Sequence, residues 1–268
     1  MKDSAELLAI AREAVEIGYR LVTTSDRGVV REKGDRDLVT DLDIQVQQHI
    51  RAYIDQMTPD IAFLGEEHGG GELDQTADGV WVLDPIDGTS NFAHGIPLCA
   101  VSLALVERGE SVIGVIAAPF LGLRYHATKG GGAFVNERPI QASSNDDPGH
   151  AIIAIGDYAV GPGADGKNDY RRSVTKSLVE NVERVRMIGS AALDLVWVAE
   201  GRFDACVLYS NKPWDTAAGV LIAREAGAIV ADTAGVPHDF SSSTTVAVAP
   251  GIAAALWPLL ASPVSTVD

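Results

Sequence analysis

Four short stretches carry acids that helix or strand packing alone does not require. They are Asp37-Leu-Val-Thr-Asp-Leu-Asp43, Gly65-Glu66-Glu67-His68, Asp84-Pro85-Ile86-Asp87-Gly88-Thr89 and Pro213-Trp214-Asp215-Thr216. In the third, the apolar run Val80–Leu83 ends in Asp84, and Pro85 fixes the backbone while removing a donor. Gly88 permits a conformation that other residues resist. Thr89, Ser90 and Asn91 can then open a helix, whose first N–H groups have no internal partner and so suit a phosphate. Two carboxylates beside that end would repel a phosphate. A divalent cation resolves the conflict because it binds both. Carboxylates with a carbonyl oxygen, here Asp84, Asp87 and the carbonyl of Ile86, suit a hard ion such as Mg²⁺.

Each stretch also has a plainer reading. An isolated Asp-Pro-x-Asp-Gly can be a solvated turn, and Gly65–Gly71 an acidic loop. Glu66 gains meaning if its strand lies parallel to Val80–Leu83, because it then emerges beside Asp84. Asp215 is expected to cap a helix, and a capping carboxylate can still give its second oxygen to a metal. Ala217, Ala218 and Gly219 would let that helix approach the sheet or a ligand closely. Asp37, Asp41 and Asp43 sit before a helix, two of them as caps or dipole partners, with Asp43 a secondary metal residue. A nucleophilic aspartate is disfavoured, since Asp84 and Asp87 are one residue too far apart for Asp-x-Asp. The six histidines, including His68 and His94, lack zinc spacing. Ser190 reads as an N-cap, and neither a nucleophile elbow nor a P-loop is present.

The positioning elements follow from periodicity. Leu7, Leu8, Ala11, Val15, Tyr19 and Val22 recur at helical spacing, predicting a helix over 4–23 capped by Ser4. A charged loop and a second helix over 38–57 follow. Short apolar runs at 61–65 and 80–84 are strands, and a meander through Ile140 contains a hairpin turn at Arg108-Gly109-Glu110. Two helices on a mostly antiparallel sheet are expected for 1–147. Beyond Ser143–His150 strands and helices alternate, so 148–268 is an α/β half. In it, Val160–Asp169 is a Gly/Asp-rich mobile loop preceding a helix from Tyr170. Residues 262–268 are expected to be disordered.

The 268 residues are 46% hydrophobic, enough for a full core, and carry a formal charge of −16 from 37 acids and 21 bases. Such a surface repels nucleic acid and anionic lipid. An anionic substrate therefore needs a local positive pocket or bound cations. Cys99 and Cys206 lie in apolar runs and give no disulfide framework, which fits a reducing cytoplasm. The N-terminus is not a signal peptide, and no run is apolar enough to span a membrane.

Together these stretches closely resemble the inositol monophosphatase family over nearly the whole chain. Its first signature stands as Asp84-Pro85-Ile86-Asp87-Gly88-Thr89 with Asn91-Phe92, and its second as Trp214-Asp215-Thr216-Ala217-Ala218-Gly219. The resemblance implies a layered αβαβα fold, a homodimer, and Mg²⁺-dependent, Li⁺-sensitive hydrolysis of phosphate monoesters, with two or three ions. It implies Glu66, Asp84, the Ile86 carbonyl, Asp87 and Asp215 as metal ligands, with Asp43 near a third ion. Catalysis then falls to Glu66, Thr89 and Asp87, with Glu66 and Thr89 orienting a metal-bound water for direct attack. Gly88, Thr89 and Ser90 would hold phosphate, while Gly189, Ser190, Ala191 and Asp215 would meet the substrate. One departure matters for the substrate. Leu208 stands where many members have an inositol-binding glutamate, with Lys212 close by, and Lys33 is one position out of register with a family lysine. Inositol 1-phosphate is the expected substrate. Fructose 1,6-bisphosphate, histidinol phosphate and adenosine 3′,5′-bisphosphate remain open, as does a non-catalytic regulatory role.

Overall fold

A computed structural model describes residues 2–26, 28–34, 37–67, 71–209 and 211–261. His68 and the tail from 262 onward lie outside them, as do the side chains of Lys33 and Asp37. The first part of the chain forms α1 (Ser4–Thr24), β1 (Val30–Gly34), β2 (Asp37–Thr40), α2 (Asp41–Met57), β3 (Ala62–Gly65), β4 (Val80–Asp87) and α3 (Thr89–His94). Strands β5 (Ala100–Glu107), β6 (Glu110–Ala118), β7 (Leu123–Thr128), β8 (Ala133–Val135) and β9 (Arg138–Pro139) complete a seven-stranded sheet that runs in order from β3 to β9. Then come β10 (Ile152–Ile155), α4 (Ala164–Asn181), β11 (Arg184–Arg186), α5 (Ala191–Ala199), β12 (Ala205–Leu208) and α6 (Pro213–Glu225). The chain ends with β13 (Ile229–Ala231), β14 (Thr245–Val248) and α7 (Ala253–Leu260). A five-stranded sheet has the order β11-β10-β12-β14-β13.

Strand alternation builds the layers, because successive side chains face opposite ways. Trp81, Leu83, Val101, Leu103 and Leu105 point to α1 and α2, where they meet Val15, Val46 and Ile50. Val80, Val82, Ala104 and Val106 point the other way, into a core shared with Leu193, Leu195, Leu221, Ile222, Cys206 and Ala247. Ile153, Ile155, Val207 and Val248 face α4 and α7 through Val174, Leu178 and Leu256. The order is helix, sheet, helix, sheet, helix, the αβαβα layering expected. The buried Trp81 indole donates to Thr58 Oγ1 at 3.0 Å, so its polar edge is satisfied within the core.

Four local expectations are corrected. Asp3, not Ser4, caps α1 by accepting from the Glu6 amide. Asp37–Thr40 is a strand paired antiparallel with Val30–Gly34, so the charged loop holds a hairpin and α2 starts at Asp41. Helix α4 starts at Ala164, six residues before Tyr170, because Asn168 pins its first turn to Ala159 through both amide atoms, at 2.8 and 2.9 Å. Asp215 is the third residue of α6 rather than its cap, since Pro213 takes the first helical position.

Candidate active site

Strands β3 and β4 are parallel, with Gly65 opposite Leu83, and the Glu66 amide donates to the Leu83 carbonyl at 3.1 Å. Glu66 and Asp84 therefore leave the sheet side by side. Gln47 of α2 fixes that exit by accepting from the Glu67 amide at 2.9 Å and donating to its carbonyl. In β4, Asp84 pairs with Ser102 and Asp87 with Ala100, three residues against two, so a bulge lies between the acids. In a regular strand a spacing of three sends side chains to opposite faces. The bulge absorbs the extra residue and lets both acids serve one site.

Gly88 follows at φ 86°, and a Cβ there would lie 2.9 Å from the Leu98 carbonyl oxygen and 3.1 Å from that of Gly189. Only glycine fits that turn. It places Thr89 at the start of α3, where its hydroxyl lies 2.9 Å from the Ile86 carbonyl and 3.1 Å from Asp43 Oδ1. Asp43 is fully buried and forms a capping box with Thr40: the Thr40 amide donates to Asp43 Oδ2 at 2.8 Å, and the Thr40 hydroxyl donates to the same oxygen. The other oxygen of Asp43 is left for Thr89. The sequence sets Glu66 and Thr89 together as the groups that orient the attacking water, and the structure gives the Thr89 hydroxyl Asp43 as a carboxylate partner.

The second half of the chain reaches the site through Asp87. Its Oδ2 accepts from the Ser190 hydroxyl and from the Ala192 amide at 3.0 Å, and its Oδ1 from the Ala191 amide at 3.2 Å. Ser190 also caps α5 by accepting from Leu193. Asn91, which the sequence placed at a helix start and within a signature, clamps the same junction. Its amide donates to the carbonyls of Leu98 and Ile188, each at 2.8 Å. Gly189 follows Ile188 at the surface, and Ser90 is exposed on α3. Asp215 enters from α6, which packs closely enough that a Cβ on Gly219 would lie 2.6 Å from Leu195. The small residues Ala217 to Gly219 thus serve the close approach foreseen for them.

Electrostatics show that the acids converge. Asp84 is 2% exposed, and burial, then Glu66, Asp87, Asp215 and Asp43, push its carboxyl well above the ordinary range. Burial likewise raises Asp215, with Asp87 and Glu66 adding to it. Burial raises Asp87 to about 6 against the lowering by its Ser190, Ala192 and Ala191 donors. Asp84 Oδ1 is buried without a hydrogen-bond partner. A buried acid in that state needs a proton or a cation. Among the described residues, no three acids, histidines or cysteines close around a single point. Asp87 is held against α5, and like charges repel. The donor set is nonetheless hard oxygen throughout, and the orphaned Asp84 oxygen fits a hard divalent ion.

Asp87 and Asp215 also line a cavity of about 420 Å³ with Gly189, Ser190, Ala191 and Leu208. Leu208 ends β12 and is buried there, and Lys212 caps α6 from its backbone. A larger hollow, about 510 Å³, lies between α1, β6 and β7. Its arginines are paired, Arg124 with Glu16 at 2.8 Å and Arg12 with Glu137.

The layering gives an αβαβα fold with buried acids that raise one another's pKa at one sheet edge. The inositol monophosphatase family matches residues 3–265, and the chain belongs to it; its members are phosphatases, generally metal-dependent. A protein named fructose-1,6-bisphosphatase/inositol-1-monophosphatase from Thermotoga maritima is 36% identical over 222 residues, 82% of each chain. An inositol-1-monophosphatase of Mesorhizobium japonicum is 36% identical over 270 residues, 99% of each. The crystal structure of the extragenic suppressor protein suhB from Bartonella henselae aligns with a TM-score of 0.87 at 31% identity, covering 97% of this chain and 100% of that one. Among the described residues no helix is long and apolar enough to cross a membrane.

Proposed function

We propose that this chain is a Mg²⁺-dependent phosphomonoesterase acting on a small polyol or sugar phosphate. The observation that carries this is the unpartnered oxygen of buried Asp84, whose carboxyl burial and then Glu66, Asp87, Asp215 and Asp43 raise, with the Thr89 hydroxyl set between Asp43 and the Ile86 carbonyl. Glu66, Asp84, the Ile86 carbonyl, Asp87 and Asp215 would hold the ions, with Asp43 near a third. When bound, Mg²⁺ neutralises phosphate charge and acidifies water. The residues do the rest. Thr89 accepts a hydrogen bond from the attacking water and passes proton density to Asp43, with Glu66 adjacent. The backbone of Gly88 and Thr89 at the start of α3 orients the phosphate for in-line attack, and Ser190 and Ala191 face the alcohol. Family resemblance supports a cytoplasmic homodimer and inhibition by Li⁺.

Purified protein should release phosphate from a panel of monoesters that includes inositol 1-phosphate, only with Mg²⁺ and less with Li⁺. Absence of Mg²⁺-dependent release from every ester would overturn the proposal.

A further inference from the structure

Helix α6 brings Asp215 to the other acids, yet little within the helix fixes where its start lies. Pro213 takes the first helical position, and no side chain caps that end. The face turned to the rest of the protein is built from small residues. A Cβ on Gly219 would meet Leu195, and one on Gly114 of β6 would lie 2.8 Å from the Ala218 carbonyl oxygen. Such a face permits close approach, but alanine and glycine offer few side chains to interlock with a neighbour and resist sliding along the axis. That resistance has to come from the ends of the helix.

Asn211, two residues before Pro213, supplies it at the start. Its Oδ1 accepts from the hydroxyl of Thr245, which is fully buried in β14. Its Nδ2 donates to the Ser242 carbonyl at 2.5 Å and faces His238 Nε2 at 3.1 Å. The three contacts match the one acceptor and two donors that an amide offers. One half-buried side chain thus ties the helix start to a strand and to the 238–242 loop. From there the hydrogen bonds run on to the acid, because the Lys212 carbonyl accepts from the Asp215 amide at 3.1 Å and the Thr216 hydroxyl at 3.3 Å. On the upstream side Arg171 of α4, 8% exposed, donates to the Tyr209 carbonyl at 3.2 Å as the segment leaves β12. At the far end of α6, Arg224 in the last turn donates to the His238 carbonyl at 2.5 Å. His238 is buried, and its own amide donates to the Val230 carbonyl at 3.2 Å. A single residue therefore meets both ends of the helix, its ring toward the start and its carbonyl toward the finish. An apolar residue at position 211 would fill the space but strip the Thr245 hydroxyl and the Ser242 carbonyl of these partners.

We propose that Asn211 is a positioning residue for Asp215. Through Thr245, Ser242 and His238 it sets how far α6 advances toward the other acids, and so how well Asp215 can hold an ion. Mg²⁺ demands near-ideal octahedral geometry, so a small shift of one donor carboxylate is felt in affinity. This rests on the reading of Asp215 as a metal-holding residue.

The test is calorimetric titration of full-length protein with Mg²⁺, with phosphate release measured alongside. Asn211→Leu should weaken Mg²⁺ binding about tenfold, and Thr245→Val, which removes one bond of the clamp, by a smaller factor. Phosphate release should recover toward wild type as Mg²⁺ is raised. In an Asp215→Asn background, Asn211→Leu should cause no further loss of Mg²⁺ affinity, because the residue acts through Asp215. If Asn211→Leu does not fold, Thr245→Val carries the same comparison in both backgrounds. A lowered melting temperature with unchanged Mg²⁺ affinity, or the same fractional loss with and without Asp215, would overturn the positioning role while leaving the phosphatase reading intact. A wild type that takes up no Mg²⁺ and hydrolyses no ester would overturn both.

Discussion

Thr89 and Asp43 meet across 46 residues of chain, hydroxyl to carboxylate, at 3.1 Å. Asp43 can receive that hydroxyl because its other oxygen is committed to Thr40. One residue thus serves the start of α2 and the reactive centre together.

If the pair acts as a unit, its members are not independent. Thr89→Val and Asp43→Asn should each lower kcat by about 10²–10⁴ with little change in KM, and the double variant should lose little more than either alone. Asp43→Asn should keep its helix, since Thr40 is the cap and an Asn oxygen at position 43 can still accept from the Thr40 amide. Additive losses, measured in single-turnover assays, would break the pairing.

Asp84 should trade stability for activity. Its pKa is raised in the fold, so relative to the unfolded chain it favours the folded state at low pH and costs stability as pH rises and it ionises. Asp84→Asn removes that charge. The metal-free variant should be more stable than wild type by about 1–2 kcal/mol at pH 7.5 and should no longer gain melting temperature on adding Mg²⁺. Calorimetric scans with EDTA and with Mg²⁺ check both halves.

Gly88→Ala should be more harmful than its one methyl suggests. At φ 86° with carbonyl oxygens at 2.9 and 3.1 Å from the new Cβ, the turn must open. A cost of about 2–4 kcal/mol is expected, with loss of activity even where the variant folds. Urea melts together with phosphate release measure it.

His238 offers a pH test away from the acids. Its Nε2 meets the Asn211 amide at 3.1 Å, and Asn211 in turn accepts from Thr245, anchoring the segment that leads to Asp215. Burial, then Arg224, lower His238 from 6.5 to about 4. A depressed folded pKa gives stability present above pH 6.5 and lost as pH falls toward 4, roughly 2–3 kcal/mol in all. His238→Gln keeps an acceptor for Asn211 and has no such titration. Its stability should therefore fall less than that of wild type between pH 6.5 and 5, by urea midpoints.

The layers and the acid set were legible because each rests on local pattern. Continuous apolar runs such as Val80–Leu83 mark strands buried on both faces, and the expected adjacency of Glu66 and Asp84 followed from both emerging behind such runs. What stayed hidden depends on contacts between distant segments. Nothing near Asp43 indicates that Thr89 will approach it, and the bulge between Asp84 and Asp87 exists only against Ser102 and Ala100. Arg171, Asp194 and Asn211 gave no signal, since an arginine or aspartate on a helix face reads as solvated until its burial is known. The start of α4 was missed because Gly163 and Gly166 suggest loop, while Asn168 supplies the tie that overrides them.

The grip of α5 on Asp87 has a consequence for how ligands sense one another. Any cation that draws on Asp87 must share it with the amides of Ala191 and Ala192, the backbone expected to face the alcohol. By linkage, whatever the ion does to the order of that helix end, a ligand ordering the helix end does equally to the ion's affinity. Affinity for the ion and grip on the alcohol are then two readings of one equilibrium.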